Sequence, residues 1–124
     1  MASILNAMTV DVEDYFQVSA FADRVPASQW ESMESRVCRN TERLLDIFER
    51  AGTLATFFVL GWVAERFPAL VKRIHSAGHE LASHSYAHGL VYEATPESFA
   101  EDLRRARVAI EDAVVSAASR ARLR

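Results

Sequence analysis

Apolar and polar positions along this chain fall into blocks that alternate between two periods. Residues 4–12 hold Ile4, Leu5, Met8, Val10 and Val12 and run into acid at Asp11, Glu13 and Asp14. A short apolar run that stops at charge predicts a buried strand. Residues 15–38 carry Tyr15, Phe16, Phe21, Trp30 and Pro26 among many polar side chains, with no regular period. They predict a long excursion holding at most a short helix. Asn40 or Thr41 can cap a helix whose apolar face is Leu44, Leu45, Ile47 and Phe48, and Gly52 is placed to close it. Residues 54–60 are apolar except for Thr56 and rich in aromatic and β-branched side chains, the clearest buried strand of the chain. Two short helices follow Gly61, over 62–67 and 68–77, with Pro68 suited to a first turn and Gly78 to a stop. Residues 79–83 predict a third strand. A last helix runs from Pro96 to about Val115, with Thr95 as its N-cap and Glu97 and Glu101 near its positive end.

Strand and helix therefore alternate three times, the α/β pattern of parallel strands joined by crossover helices. Three strands make a poor sheet, because a parallel sheet needs cover on both faces and leaves open edges when it is short. One reading is a small layered domain that pairs with another chain. The reading carried forward is that these units form about half of a larger barrel.

Bulk properties narrow the functions. The 124 residues suit one small domain; half are apolar and a quarter charged, as in ordinary globular proteins. A net charge of −3 argues against a nucleic-acid partner. The late run of cations from Arg104 to Arg107 lies beside Glu101 and Asp102 and reads as a solvated helix face. Cys38 is the single cysteine, so no internal disulfide can form, which fits a reducing compartment. No local base accompanies its thiol, and it reads as a small buried or half-buried side chain. Residues 1–10 lack a cationic leader, and no window approaches the roughly 20 apolar residues of a membrane span. A cytoplasmic protein without a membrane span is expected.

Two groups of residues can carry chemistry. Asp11, Glu13 and Asp14 follow the first strand, where α/β folds build their sites. His84-Ser85-Tyr86-Ala87-His88 follows the third. Histidines four apart on one helical turn point the same way, so both imidazoles can reach one ion. A carboxylate with two histidines is a recognised catalytic zinc set that leaves positions open for water and substrate. His75 and His79 share that spacing but belong to the opposite rim, and read as structural. Trp62, Phe57 and Phe58 read as core.

Three segments, Thr9-Val10-Asp11-Val12-Glu13-Asp14-Tyr15-Phe16, Ala55-Thr56-Phe57-Phe58-Val59-Leu60-Gly61 and His84-Ser85-Tyr86-Ala87-His88, together resemble the polysaccharide deacetylase family, also called the NodB-homology or carbohydrate esterase 4 family. Within it they look most like the branch associated with exopolysaccharide production and the exosortase/PEP-CTERM system. The resemblance covers roughly residues 5 to 112. It implies the N-terminal part of a distorted (β/α) barrel with about three βα units, and hydrolytic removal of acetyl groups from N-acetylated sugars of an exopolysaccharide or its precursor. It implies that Asp11 is the general base and that His84 and His88 bind a divalent metal. Zinc is the default metal; cobalt, nickel or manganese can substitute. The family's metal carboxylate is matched by Asp14 on residue type, with Glu13 as the alternative, because this sequence reads Asp11-Val12-Glu13-Asp14 where most members have adjacent aspartates.

The family also supplies a late histidine as the acid for the leaving amine and an arginine-proline motif, and neither follows His88 here. The expectation is a partial deacetylase domain over 1–112 and an atypical tail over 113–124, arising from truncation, a frameshift or a mis-assigned gene end, in a chain that is weakly active or inactive. Reading the downstream DNA in all three frames tests this; no frame encoding an Arg-Ala-Pro segment and a later histidine would sink it. The competing expectation is a non-catalytic α/β fragment that binds metal or carbohydrate. Either form leaves a barrel edge through which copies can self-associate.

Overall fold

The computed structural model describes residues 3–121, with side chains through residue 115. Its regular elements are β1 (Thr9–Val12), α1 (Val37–Ala51), β2 (Thr56–Val59), α2 (Gly61–Arg66), α3 (Pro68–Ser76), β3 (Glu80–Ser83) and α4 (Pro96–Ala121). The three strands form one parallel sheet in the order β1-β2-β3, with Val12 beside Val59 and Val59 beside Ser83. The expected α/β alternation and parallel sheet are both present.

Side chains on successive strand residues point to opposite faces. One face carries Val12, Phe57 and Val59, which share a single core with Val37, Leu45 and Phe48 of α1, Val63 of α2, Val71 and Ile74 of α3 and Ile110 of α4. Helices from both strand connections, and α4 after the last strand, thus cover the same face. In α1 the buried residues Val37, Thr41, Leu45 and Phe48 recur at the three- and four-residue spacing of one helical stripe. In α4 the buried residues include Ala106, Ala109 and Ala113, whose small side chains let the helix approach closely. The other sheet face carries Asp11, Phe58 and Ala82, and no helix among the described residues covers it.

Several boundaries differ from those expected. Only Thr9–Val12 of the first apolar run is strand, because its pairing with β2 begins at Thr9 opposite Thr56, whose N–H donates to the Met8 carbonyl at 3.0 Å. Ile4 and Leu5 are exposed. The excursion contains two short 3-10 turns, Ser19–Phe21 and Ala27–Ser32. Helix α1 starts at Val37, not at the Asn40 or Thr41 caps, for a reason that lies in the site described below. Gly52 closes α1 in the left-handed conformation (φ 62°), and the Thr53 N–H reaches back to the Phe48 carbonyl at 2.9 Å. Pro68, which has no N–H to continue α2, opens α3. Thr95 caps α4 reciprocally with Ser98, and the helix continues past Val115 to Ala121. No helix among the described residues is long and apolar enough to cross a membrane.

Candidate metal centre

The acidic cluster sits where β1 runs out, and strand alternation divides it. Asp11 and Glu13 continue the uncovered face, whereas Val12 and Asp14 turn inward and are 1% and 2% exposed. Asp14 is fully engaged there. Its Oδ1 accepts the Arg36 backbone N–H at 2.7 Å, its Oδ2 accepts the Ser35 hydroxyl at 2.5 Å, and its own N–H donates to Gln17 Oε1 at 2.7 Å. A carboxylate at the positive end of α1 satisfies the Arg36 amide, which otherwise lacks a partner, and so explains the early helix start. The structure does not bring Asp14 to the histidines.

It does bring Glu13 there. Glu13 Oε2 lies 3.4 Å from His88 Nε2 and 3.9 Å from His84 Nε2, and the ligating atoms of these three residues all fall within 4.8 Å of one another. Asp11 stands at the edge of this group with Oδ2 3.8 Å from His84 Nε2, and its side chain is 57% exposed.

The histidines do not share a helical turn. Residues 85–87 form a tight turn after β3, with Ser85 (φ 61°) and His88 (φ 58°) in the left-handed region that non-glycine residues rarely enter. Helix α2 prevents a helix from starting here, because it claims the turn's carbonyls. The Gly61 and Trp62 N–H groups donate to the Ser85 and Tyr86 carbonyls, both at 2.9 Å. The Tyr86 N–H donates to the Asp102 carboxylate of α4 at 3.1 Å, the His88 N–H to Ser85 Oγ at 3.0 Å, and the His84 N–H to the Val59 carbonyl at 3.0 Å. The two imidazoles end with centroids 5.0 Å apart and planes at 87°.

Tyr86 pins this turn from outside. Its hydroxyl donates to Glu65 at 2.7 Å, and the Arg105 guanidinium sits 3.4 Å above its ring. Burial, reinforced by Glu65, pushes its phenol up to about 12. Gly61 makes the fit possible, since a Cβ there would lie 2.6 Å from Tyr86 Cδ2 and 2.9 Å from the Ala106 Cα. Sequence reasoning missed Gly61, Tyr86 and Asp102 as supports; the glycine directly after a strand was the only signal present.

The donor set suits a divalent cation. Glu13 Oε2 and His84 Nε2 are buried and have no hydrogen-bond partner, an arrangement that costs about 1–3 kcal/mol per group unless something satisfies it. Donors held at about 2.1 Å from a tetrahedral zinc stand roughly 3.4 Å apart, close to the observed Glu13–histidine separations. The other candidates behave as structural groups. His79 is buried, accepts the Ala55 N–H on Nδ1 at 3.1 Å and packs on Phe57. His75 is exposed on α3. Phe57 is core, while Trp62 is half-buried against Trp30. Burial, helped by the charges of Asp14 and Glu42, pushes the Cys38 thiol pKa up, away from nucleophilic behaviour.

Comparison with known proteins places these features in context. The family profile described as polysaccharide deacetylase matches residues 27–123. A peptidoglycan-N-acetylglucosamine deacetylase of Bacillus cereus is 46% identical over 48 residues, covering 39% of this chain and 18% of that protein. A chitooligosaccharide deacetylase of a Bradyrhizobium species is 31% identical over 80 residues, covering 64% of this chain and 36% of that one. Among solved structures, the Xyl-CE4 domain of a multidomain xylanase from the hindgut metagenome of Trinervitermes trinervoides superposes with a TM-score of 0.62 at 28% identity, covering 87% of this chain and 42% of its own. The chain thus spans less than half the length of each of these relatives.

Proposed function

The chain belongs to the polysaccharide deacetylase family, and from that premise we propose that it forms the metal-binding and general-base end of a hydrolase that removes acetyl groups from N-acetylated sugars. Its sheet and helices are part of the family's (β/α) barrel. The observation that carries the reading is the convergence of Glu13, His84 and His88 beside Asp11, at the C-terminal ends of strands in one parallel sheet.

Glu13, His84 and His88 would hold a divalent ion, and Asp14 serves as the cap of α1. The ion, zinc by default, would supply Lewis acidity and lower the pKa of a bound water. Asp11 lies on the same face as Glu13 and open to solvent, where its carboxylate can take the proton of the attacking water. The bonds from Gly61, Trp62 and Asp102 to the turn hold the imidazoles in place beforehand, so little reorganisation accompanies reaction. The leaving amine also needs a proton, and neither His84 nor His88 can donate one while its nitrogen binds a cation. Little turnover is therefore expected from this chain by itself.

The likeness of the segments 9–16, 55–61 and 84–88, taken together, to the exosortase-associated branch supports an exopolysaccharide or its precursor as substrate. A single cysteine is compatible with action in the cytoplasm. Acetate release from a chito-oligosaccharide in the presence of zinc tests the reading. Any release above a zinc-only blank is expected to vanish in Asp11→Asn while zinc affinity is kept. Release that survives Asp11→Asn removes Asp11 from the role of base, and zinc binding with no release from the wild-type chain favours a non-catalytic binding fragment.

A further inference from the structure

The peptide group joining Ser85 to Tyr86 is gripped on both sides. Its carbonyl accepts the Gly61 N–H at 2.9 Å, and its N–H points between the two carboxylate oxygens of Asp102, at 3.2 and 3.1 Å. The grip falls between His84 and His88, in a turn where Ser85 and His88 both adopt left-handed backbone conformations. Such conformations cost energy and persist only where the surroundings over-determine them.

The two grips differ in kind. Gly61 starts α2, where an N–H has no partner within its own helix and needs a carbonyl in any case. Asp102 is half-buried on α4, with three arginines close along the same helix. Each arginine is engaged elsewhere: Arg104 by Glu101, Arg105 by Glu65 and the Tyr86 ring, and Arg107 by Glu111. Among the described residues, the Asp102 carboxylate accepts from no donor but the Tyr86 N–H. A charged acceptor binds an amide more strongly than a neutral one. It also selects one orientation of the peptide, because a flipped peptide would aim its carbonyl oxygen at the carboxylate.

We propose that Asp102 is a positioning residue for the metal centre. It latches the Ser85–Tyr86 peptide so that the His84 and His88 rings stand side by side, centroids 5.0 Å apart, before a cation arrives. The use of that arrangement for a cation rests on the metal-binding reading above. Without the latch the turn samples the flipped peptide, and apparent affinity falls with the fraction of chains that keep the rings paired. By linkage, a cation on the histidines strengthens the bond between Tyr86 and Asp102.

The test uses the full chain and three substitutions. Asp102→Leu keeps the volume and removes the acceptor, Asp102→Asn keeps one acceptor oxygen, and Glu101→Gln removes a charge from the same helix away from the turn. NMR of the metal-free wild type is expected to show a nuclear Overhauser contact between the two histidine rings and a slowly exchanging Tyr86 amide. Asp102→Leu, shown to be folded by circular dichroism, loses both and binds zinc about ten- to a hundredfold more weakly, the size of one hydrogen bond to a charged group. Asp102→Asn keeps the ring contact and binds zinc more tightly than Asp102→Leu, because a neutral acceptor retains roughly half the bond. Glu101→Gln matches the wild type in both readouts. A merely structural Asp102 would lower stability and leave the ring contact of the folded chains unchanged.

A folded Asp102→Leu that keeps the ring contact overturns the proposal, as does an Asp102→Asn no better than Asp102→Leu. If Asp102→Leu does not fold, the wild type decides: a Tyr86 amide that exchanges as fast as an open loop overturns the latch. Zinc bound equally by all variants overturns the latch and leaves the metal centre standing. A wild-type chain with the ring contact and the slow amide that binds no zinc upholds the latch and overturns the metal centre.

Discussion

Replacing Gly61 with alanine puts a methyl carbon 2.6 Å from Tyr86 Cδ2 and 2.9 Å from the Ala106 Cα. Neither neighbour can easily give way. The Tyr86 ring is held between Glu65 and Arg105, and the Ala106 contact is with the backbone of α4. Overpacking of this kind costs about 1–3 kcal/mol. A backbone contact puts this case near 3, and the better helix propensity of alanine returns up to about 1 kcal/mol. The net loss is about 2 kcal/mol, or a drop in Tm of roughly 8 °C for a domain of this size. The same methyl group pushes the turn that carries His84 and His88, so zinc affinity is expected to fall with stability. Gly89→Ala is the control: no atom lies within 4 Å of its added Cβ. It is expected to change stability by less than about 0.5 kcal/mol. Urea unfolding monitored by circular dichroism, with zinc calorimetry on both variants, decides the matter. Gly61→Ala matching Gly89→Ala in unfolding free energy and zinc affinity would refute the idea that α2 and α4 clamp the histidine turn.

Asp14→Ala removes the partners of Ser35 and the Arg36 N–H and should cost about 2–3 kcal/mol in urea unfolding; Glu13→Ala removes an unpartnered buried oxygen and should leave the metal-free chain as stable as wild type or more so. Equal losses in the two variants would contradict this division of roles. His79→Leu strands the buried Ala55 N–H, and about 1–3 kcal/mol of lost stability is expected in the same assay, with zinc binding unchanged. The Tyr86 phenol, raised to about 12, favours the folded state while protonated. Its contribution is therefore complete below the ordinary tyrosine pKa of about 10 and lost as pH climbs through about 12. An ultraviolet difference titration of wild type against Tyr86→Phe should show one phenol ionising near 12; one ionising near 10 would contradict it.

Local chemistry explains what was legible beforehand. Gly52 and Thr95 mark helix ends because a left-handed cap and a hydroxyl cap are properties of single residues, and both act where the pattern placed them. The Thr56–Val59 strand was visible because both its neighbours in the sheet and the helices beneath it demand apolar, β-rich side chains. Elements set by distant partners were not visible. The start of α1 depends on Asp14, more than twenty residues earlier in the chain, and β1 is short because β2 is short. The role of Asp14 could have been inferred from alternation: a residue three positions after Asp11 in an extended segment faces the other side, whereas Glu13, two positions after it, faces the same side. Residue type favoured Asp14 and strand geometry favours Glu13. The histidine spacing was read with helical geometry, but carbonyl bonds to α2 and the Asp102 carboxylate fold it into a turn that brings the imidazoles together by another route.

The central claim is that Glu13, His84 and His88 form one metal site, and calorimetric zinc titration with circular dichroism on the same samples tests it most directly. One zinc per folded wild-type chain is expected, with binding lost in Glu13→Ala and in the His84→Ala/His88→Ala double variant and retained by Asp14→Ala wherever that variant is folded. A folded chain that binds no zinc, or binding that survives Glu13→Ala and disappears in folded Asp14→Ala, would contradict the account.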